Sequence, residues 1–144
     1  MRVILGADHG GFGLKEKVKT WLVGQGYEVT DIGAEIFVDG DDYVDFAKKA
    51  VDEAKPKDRI ILFCRNGFGM MIAANRFGGV RCGLAFDKEA VRKGRTDDDI
   101  NCLAMPADYI DEMSAEEMVK VFLEEKFNEG DNYKRRIRKV DNLL

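Results

Sequence analysis

Apolar residues recur along this chain in two rhythms that alternate. Residues 2–7 (RVILGA) form a short apolar run that stops in turn residues, which predicts a buried strand. Leu14, Val18, Trp21 and Leu22 follow at helical spacing, and that pattern ends at Gly24 or Gly26. A second strand is predicted over 27–32, then a helix whose buried face carries Tyr43, Phe46, Ala47, Ala50, Val51 and Ala54 and which ends before Pro56. Residues 59–64 (RIILFC) are the most strand-like run, and GFGMMIAANR after them reads as a glycine-rich loop opening a helix. Further strands are predicted over 81–86 and 101–105, with a short helix over 88–93 between them. Ser114 and Glu117 have the spacing of a capping box before a helix bearing Met118, Val121 and Phe122, and a basic helix starts near Tyr133.

Strands that alternate with helices predict a parallel sheet covered on both faces. The expected fold is α/β: one domain over 1–144, doubly wound, a three-layer α/β/α sandwich around five parallel strands in flavodoxin-like order 2-1-3-4-5. Ligands of such folds bind beyond the carboxyl ends of the strands, where the winding reverses between the first and third. Asp8-His9-Gly10-Gly11 and Cys64-Arg65-Asn66-Gly67-Phe68-Gly69 both fall there.

Composition narrows the possibilities. With 45% apolar and 35% charged residues in 144, the chain has a soluble globular balance and enough length for a core. No apolar run reaches the length of a membrane helix, and the start has no signal-peptide pattern, so the expected location is cytoplasmic. Cys64, Cys82 and Cys102 lack the spacing of a zinc site and are odd in number, which indicates no disulfide framework. A net charge of −4 argues against nucleic acid as a partner. The single histidine, His9, excludes any mechanism that needs two from one chain.

Each candidate residue has a functional and a plain reading. Gly67-Phe68-Gly69 before a helix suits an anion, or is simply a tight turn; it is neither a Walker motif nor a dinucleotide fingerprint. Cys64 at a helix start suits a thiolate of lowered pKa, or is a small core residue. Asp8 and His9 suit a substrate hydroxyl or phosphate, or cap the next helix. Tyr43 reaches the site with its phenol or begins a core stripe. Asp97-Asp98-Asp99 forms a carboxylate cluster or, as is commoner for such runs, a solvated loop. The terminal YKRRIRKV brings an arginine to a phosphate or keeps the chain soluble.

With these residues in view, the chain resembles the ribose-5-phosphate isomerase B family, which includes the galactose-6-phosphate isomerase subunits. ILGADHGGFGLKEKVKTWL, DDYVDFAKKA, FCRNGFGMMIAANRFGGVRCGLAFD and the basic end match its segments in order over nearly the whole chain. The resemblance implies a metal-independent aldose–ketose isomerase without a cofactor, acting on a sugar or sugar phosphate through an enediolate. It implies Cys64 as base, backbone N–H groups of Gly67, Gly69 and Met70 around the oxyanion, and Asp8, His9, Tyr43 and Arg136 on the substrate. It also implies a homodimer or dimer of dimers, with Asp97 and Asp98 approaching a neighbour's Cys64.

The departures from the family pattern concern charge. Arg65-Asn66 stands where the family has Gly-Thr, so Asn66 donates a hydrogen bond but relays no proton. The family's ring-opening histidine falls on Asp97, the asparagine after it on Asp98, and two phosphate-binding arginines fall on Asp108 and Asn132. Some relatives place a Glu base at the position of Met70. Arg65 and one of the terminal cations are available to compensate. Two other readings stand beside the enzyme: a non-catalytic sugar- or anion-binding homologue, and one subunit of a heteromeric isomerase.

Overall fold

The computed structural model describes residues 1–144. Five parallel strands, β1 (Val3–Ala7), β2 (Val29–Asp31), β3 (Arg59–Cys64), β4 (Cys82–Leu84) and β5 (Cys102–Pro106), form one sheet. Six helices accompany them: α1 (Phe12–Gly24), α2 (Tyr43–Glu53), α3 (Phe68–Ala74), α4 (Lys88–Asp98), α5 (Glu112–Glu124) and α6 (Asp131–Asp141). The period-two alternation of the strands divides the core between two faces. Val3, Leu5, Ala7, Ile61, Phe63, Leu103 and Met105 pack with residues of α1 and α5, including Val18, Leu22, Val119 and Phe122. Ile4, Ile60, Leu62, Cys64, Cys102 and Ala104 pack with Ala47 and Ala50 of α2 and Met70, Ala73 and Ala74 of α3. The predicted three-layer α/β/α arrangement is therefore present, and Cys64 belongs to the α2–α3 side.

The strand order is β2-β1-β3-β5-β4, not the expected 2-1-3-4-5. The reason is burial. All five residues of β5 (CLAMP) are buried, as a central strand requires, whereas β4 is three residues long and only partly covered. The reversal between β1 and β3 is unaffected. What changes is the neighbour of β3: Cys64 pairs with Pro106, and the N–H groups of Ala107 and Asp108 donate to the carbonyls of Cys64 and Arg65 at 2.9 Å each. The segment after β5 thus borders the predicted site.

Three boundaries also move. The α4 helix runs to Asp98 rather than ending near Lys93, because Arg95 is buried in its last turn and donates to Asp99 at 2.8 Å and to the Ile100 carbonyl at 2.5 Å. Asp97 and Asp98 are consequently helical, not loop, and Asp99 is the left-handed residue that ends the helix. The α5 helix is capped by Asp111, whose side chain accepts from the Ser114 N–H at 2.7 Å, so Ser114 is its third residue and not its cap. The α6 helix begins at Asp131, has no buried residue, and packs on α4.

At the amino ends of β1 and β3, Arg2 is clamped by Asp58 (2.7 Å) and Glu53 (2.8 Å). Burial alone would push the Asp58 carboxyl up, but hydrogen bonds from the Arg2 side chain and from the N–H groups of Lys55 and Arg2 overcome it and hold it at about 2. A depressed carboxylate stabilises the fold above its ordinary value of 3.8, and that stabilisation is lost as pH falls from there to about 2. Asp58→Asn is expected to remove this part of the acid dependence, which urea denaturation of both proteins at about pH 5 and about pH 2.5 measures.

Candidate active site

The site is assembled where two loops leave adjacent strands. The loop after β1 carries Asp8 and His9, and the loop after β3 carries Arg65, Asn66 and Gly67 before α3. They touch closely: a Cβ on Gly10 would stand 2.4 Å from Arg65 Cγ. Gly67 takes φ +77°, and a Cβ there would meet Leu84 Cδ1 at 2.4 Å, so the sharp turn into α3 requires glycine. The ring of Tyr43, from the first residue of α2, lies over Gly69 at a spacing where a Cβ would stand 2.9 Å from Cζ. The loop therefore brings together Asp8, His9, Tyr43, Cys64, Arg65, Asn66, Gly67 and Gly69.

Cys64 is buried at the centre, at the start of the turn that leads through Asn66 and Gly67 into α3. Its thiol is nevertheless pushed up, contrary to the lowering expected from a helix start. Burial is the largest cause, the nearby Asp8 carboxylate adds to it, and the backbone N–H groups of Met70, Gly67 and Asn66 offset only part. Burial likewise pushes the Asp8 carboxyl up, against the hydrogen bond that Asp8 Oδ1 accepts from the Gly11 N–H at 3.1 Å. Asp8 thus braces the turn before α1.

Other candidates take places the sequence did not show. The Met70 side chain is fully buried in the core, so it offers a ligand only its backbone. Asn66 Oδ1 accepts from the Phe68 N–H at 3.0 Å, which leaves its amide nitrogen as the free donor. Arg65 is 63% exposed and lies 3.7 Å from Asp108. Its charge is partly engaged at the rim.

Asp97, Asp98 and Arg136 are not part of this cluster. The helices run antiparallel to the strands, so the end of α4 lies beside the amino ends of the sheet, away from Cys64. Asp97 accepts from the Thr96 hydroxyl at 2.8 Å. Asp98 lines a groove of about 460 Å³ with Asn75 at the end of α3 and Ile137 and Val140 of α6. Arg136 is exposed on α6, its guanidinium 5.8 Å from the Tyr133 ring centre. One chain holds the two halves of the expected site at opposite ends of its sheet.

The sequence reading missed Asp41. This residue, in the loop before α2, accepts from the His9 backbone N–H at 2.7 Å and lies 2.9 Å from His9 Nδ1, both through Oδ1. The hydrogen bond to Asp41 is the largest cause raising the His9 pKa; burial opposes it, Asp8 reinforces it and Arg65 opposes it. Asp41 opens the DDYVDFAKKA segment, but nothing in that segment marks it as a partner of His9, because the contact spans 32 residues. The three possible ligand atoms of Asp8, His9 and Asp41 lie within 4.8 Å of one another, but Nδ1 is already spent in this pair.

No helix is long and apolar enough to cross a membrane. A family model described as Ribose/Galactose Isomerase matches residues 3–140. The chain is 37% identical over 132 residues to a 4-deoxy-4-sulfo-D-erythrose isomerase of a Clostridium species, covering 90% of this chain and 83% of that one. Among solved structures, a ribose 5-phosphate isomerase from Thermotoga maritima superposes with a TM-score of 0.91 at 40% identity, covering 98% of this chain and 97% of that one. Ribose-5-phosphate isomerase B from Mycoplasma genitalium with bound ribulose-5-phosphate gives 0.93 at 30% identity, over 99% and 95%. Matched along nearly its whole length in sequence and in fold, the chain belongs to the ribose/galactose isomerase family.

Proposed function

We propose that the protein is an aldose–ketose isomerase that moves a proton between C1 and C2 of an anionic sugar, in the first place a sugar phosphate. The placing of buried Cys64 at the start of the Gly67–Gly69 turn, beside Asp8, His9 and the Tyr43 ring, carries this reading. The Cys64 thiolate takes the proton from C2 of the aldose. The C–H electron pair forms the C1=C2 bond, and charge gathers on the substrate oxygen. Backbone N–H groups of Gly67 to Met70 and the Asn66 amide stabilise that charge. A proton passes from O2 to O1, and the thiol returns its proton to C1. Asp8 and Tyr43 hold sugar hydroxyls, while His9 and Arg65 face the anionic group.

The separation of the two half-sites supports a homodimer in which Asp97, Asp98 and Arg136 of one copy approach Cys64 of another, in the cytoplasm, where its three free thiols stay reduced. Mixing inactive Cys64→Ala with a severely impaired Arg136→Ala is expected to regain about a quarter of wild-type activity, since half the random dimers carry one intact site of two. Mixtures no more active than their components would argue for a site within one chain.

One replacement favours a narrower second reading. A cyclic sugar needs a proton donor to open, and Asp97 stands where the resemblance implies the histidine that supplies it. A four-carbon aldose with its anionic group on C4 has no free C4 hydroxyl to close a furanose, so it needs no opening. The Clostridium relative is named for such a sugar. A sulfonate carries less negative charge than a phosphate, which suits a site with Asp108 and Asn132 where arginines are expected. NMR in deuterated water, reading exchange at C1 and C2 of ribose 5-phosphate, erythrose 4-phosphate and 4-deoxy-4-sulfo-erythrose, tests both readings. Exchange of the two four-carbon sugars alone supports the narrower one. No exchange in any of them, with ligand-induced thermal stabilisation only, would identify a binding protein instead.

A further inference from the structure

We propose that Asp41 is a positioning residue: its Oδ1 grips His9 at both the backbone N–H and Nδ1, and leaves Nε2 as the ring nitrogen that meets the substrate's anionic group. The anionic group rests on the isomerase reading above; the grip does not.

Both hydrogen bonds to Asp41 come from His9, at 2.7 and 2.9 Å, while Asp41 Oδ2 is buried with no donor. Joined to His9 by both bonds through one oxygen, the carboxylate favours Nδ1 in the protonated form. The edge-to-face contact of the Phe37 ring with His9, centres 6.3 Å apart, covers one side of the pair, and Phe37 in turn packs on Phe12. The loop that carries Phe37 and Asp41 is itself tied down. Fully buried Lys15 donates to Asp31 at 2.9 Å and to the Ala34 carbonyl at 2.5 Å, where the chain leaves β2.

The charged groups facing His9 are Asp8 at the end of β1, Asp41 from the loop before α2, and Arg65 from the loop after β3. Two are anionic and one cationic, so the imidazole is surrounded by a net negative field. In the doubly protonated form, which Asp41 favours, His9 presents an N–H donor and a positive charge beside a site that lacks two expected arginines. A neutral imidazole held with its proton on Nδ1 would supply neither, because Nε2 then presents a lone pair.

His9 is the only histidine in the chain, so its nitrogen-15 NMR titration is unambiguous. In the wild type it is expected to titrate above the ordinary 6.5, with Nδ1 protonated throughout. Asp41→Asn is expected to bring it to or below that value, and Asp41→Glu to restore part of the rise. Inorganic phosphate should bind Asp41→Asn about tenfold more weakly at about pH 7.5, with a smaller deficit at about pH 6, where an unassisted histidine is largely charged. A wild-type His9 titrating at or below 6.5, or one unmoved in a folded Asp41→Asn protein, overturns the grip. Equal phosphate affinity in both proteins at both pH values overturns the anion role. If Asp41→Asn does not fold, the wild-type tautomer and Asp41→Glu still decide the point. A protein with the shifted His9 that isomerises no sugar sustains the positioning and sinks only the isomerase reading.

Discussion

Cys64→Ala is expected to lower kcat/KM for C1/C2 exchange by about a thousandfold, the usual loss when a positioned general base is removed. Cys64→Ser should rescue little, since a serine hydroxyl holds its proton far more tightly than a thiol. The pH profile carries the more specific expectation. Burial and the Asp8 carboxylate keep the thiol protonated, against the pull of the N–H groups of Met70, Gly67 and Asn66. In the free enzyme the thiolate is a minor form at neutral pH, so kcat/KM should climb as pH rises into the alkaline range. Asp8→Asn removes one of the two causes raising the thiol and should shift that limb toward neutral pH. A wild-type profile flat from neutral to alkaline pH, or Cys64→Ala within tenfold of wild type, would show that some other group takes the proton.

Gly11→Ala is expected to cost about 3 kcal/mol or more, enough to consume a large part of a typical domain's stability. A Cβ at this position would stand 2.2 Å from both the carbonyl carbon and the oxygen of Phe63. These are backbone atoms of the central strand β3, near the carboxyl end of its ladder, where Phe63 pairs with Ala7 of β1 and Met105 of β5, and cannot give way as a side-chain tip does. The alternative is for α1 to lift off the sheet, which separates Val18 and Leu22 from Phe63 and Phe122. Urea denaturation measures the loss. Any folded remainder should also be poorly active, because Gly11 donates the hydrogen bond that braces Asp8. A variant within about 1 kcal/mol of wild type would mean that the loop and sheet are free to move apart.

Much of the fold was legible because burial and periodicity coincide. RIILFC reads as a strand and is one, since a strand covered on both faces must be apolar throughout. Errors arose where a polar contact, and not the apolar pattern, set an element's boundary. Arg95 carries α4 past the point where its apolar pattern stops by reaching Asp99 and Ile100, and Asp111 rather than Ser114 caps α5 because the backbone enters the helix there. Met70 reads as part of a loop that meets a ligand, yet its side chain fills the space between α3 and the sheet.

The site divides in the same way. Asp8, His9, Cys64 and the Gly67–Gly69 turn were legible because each follows a strand at the reversal of the sheet, a place set by topology and glycine pattern alone. Tyr43 was legible only as an alternative to a core residue, and its contact with Gly69 favours the site. Local sequence by itself determined the elements, the buried strands and the loop around Cys64, because these depend on neighbours a few residues apart. Tertiary structure alone decided that β5 stands beside β3, that Asp108 meets Arg65, that Asp41 holds His9, and that Asp97, Asp98 and Arg136 lie at the far end of the sheet. Each of these depends on which distant segments the packed core brings into contact, and neither charge nor spacing along the chain encodes that pairing locally.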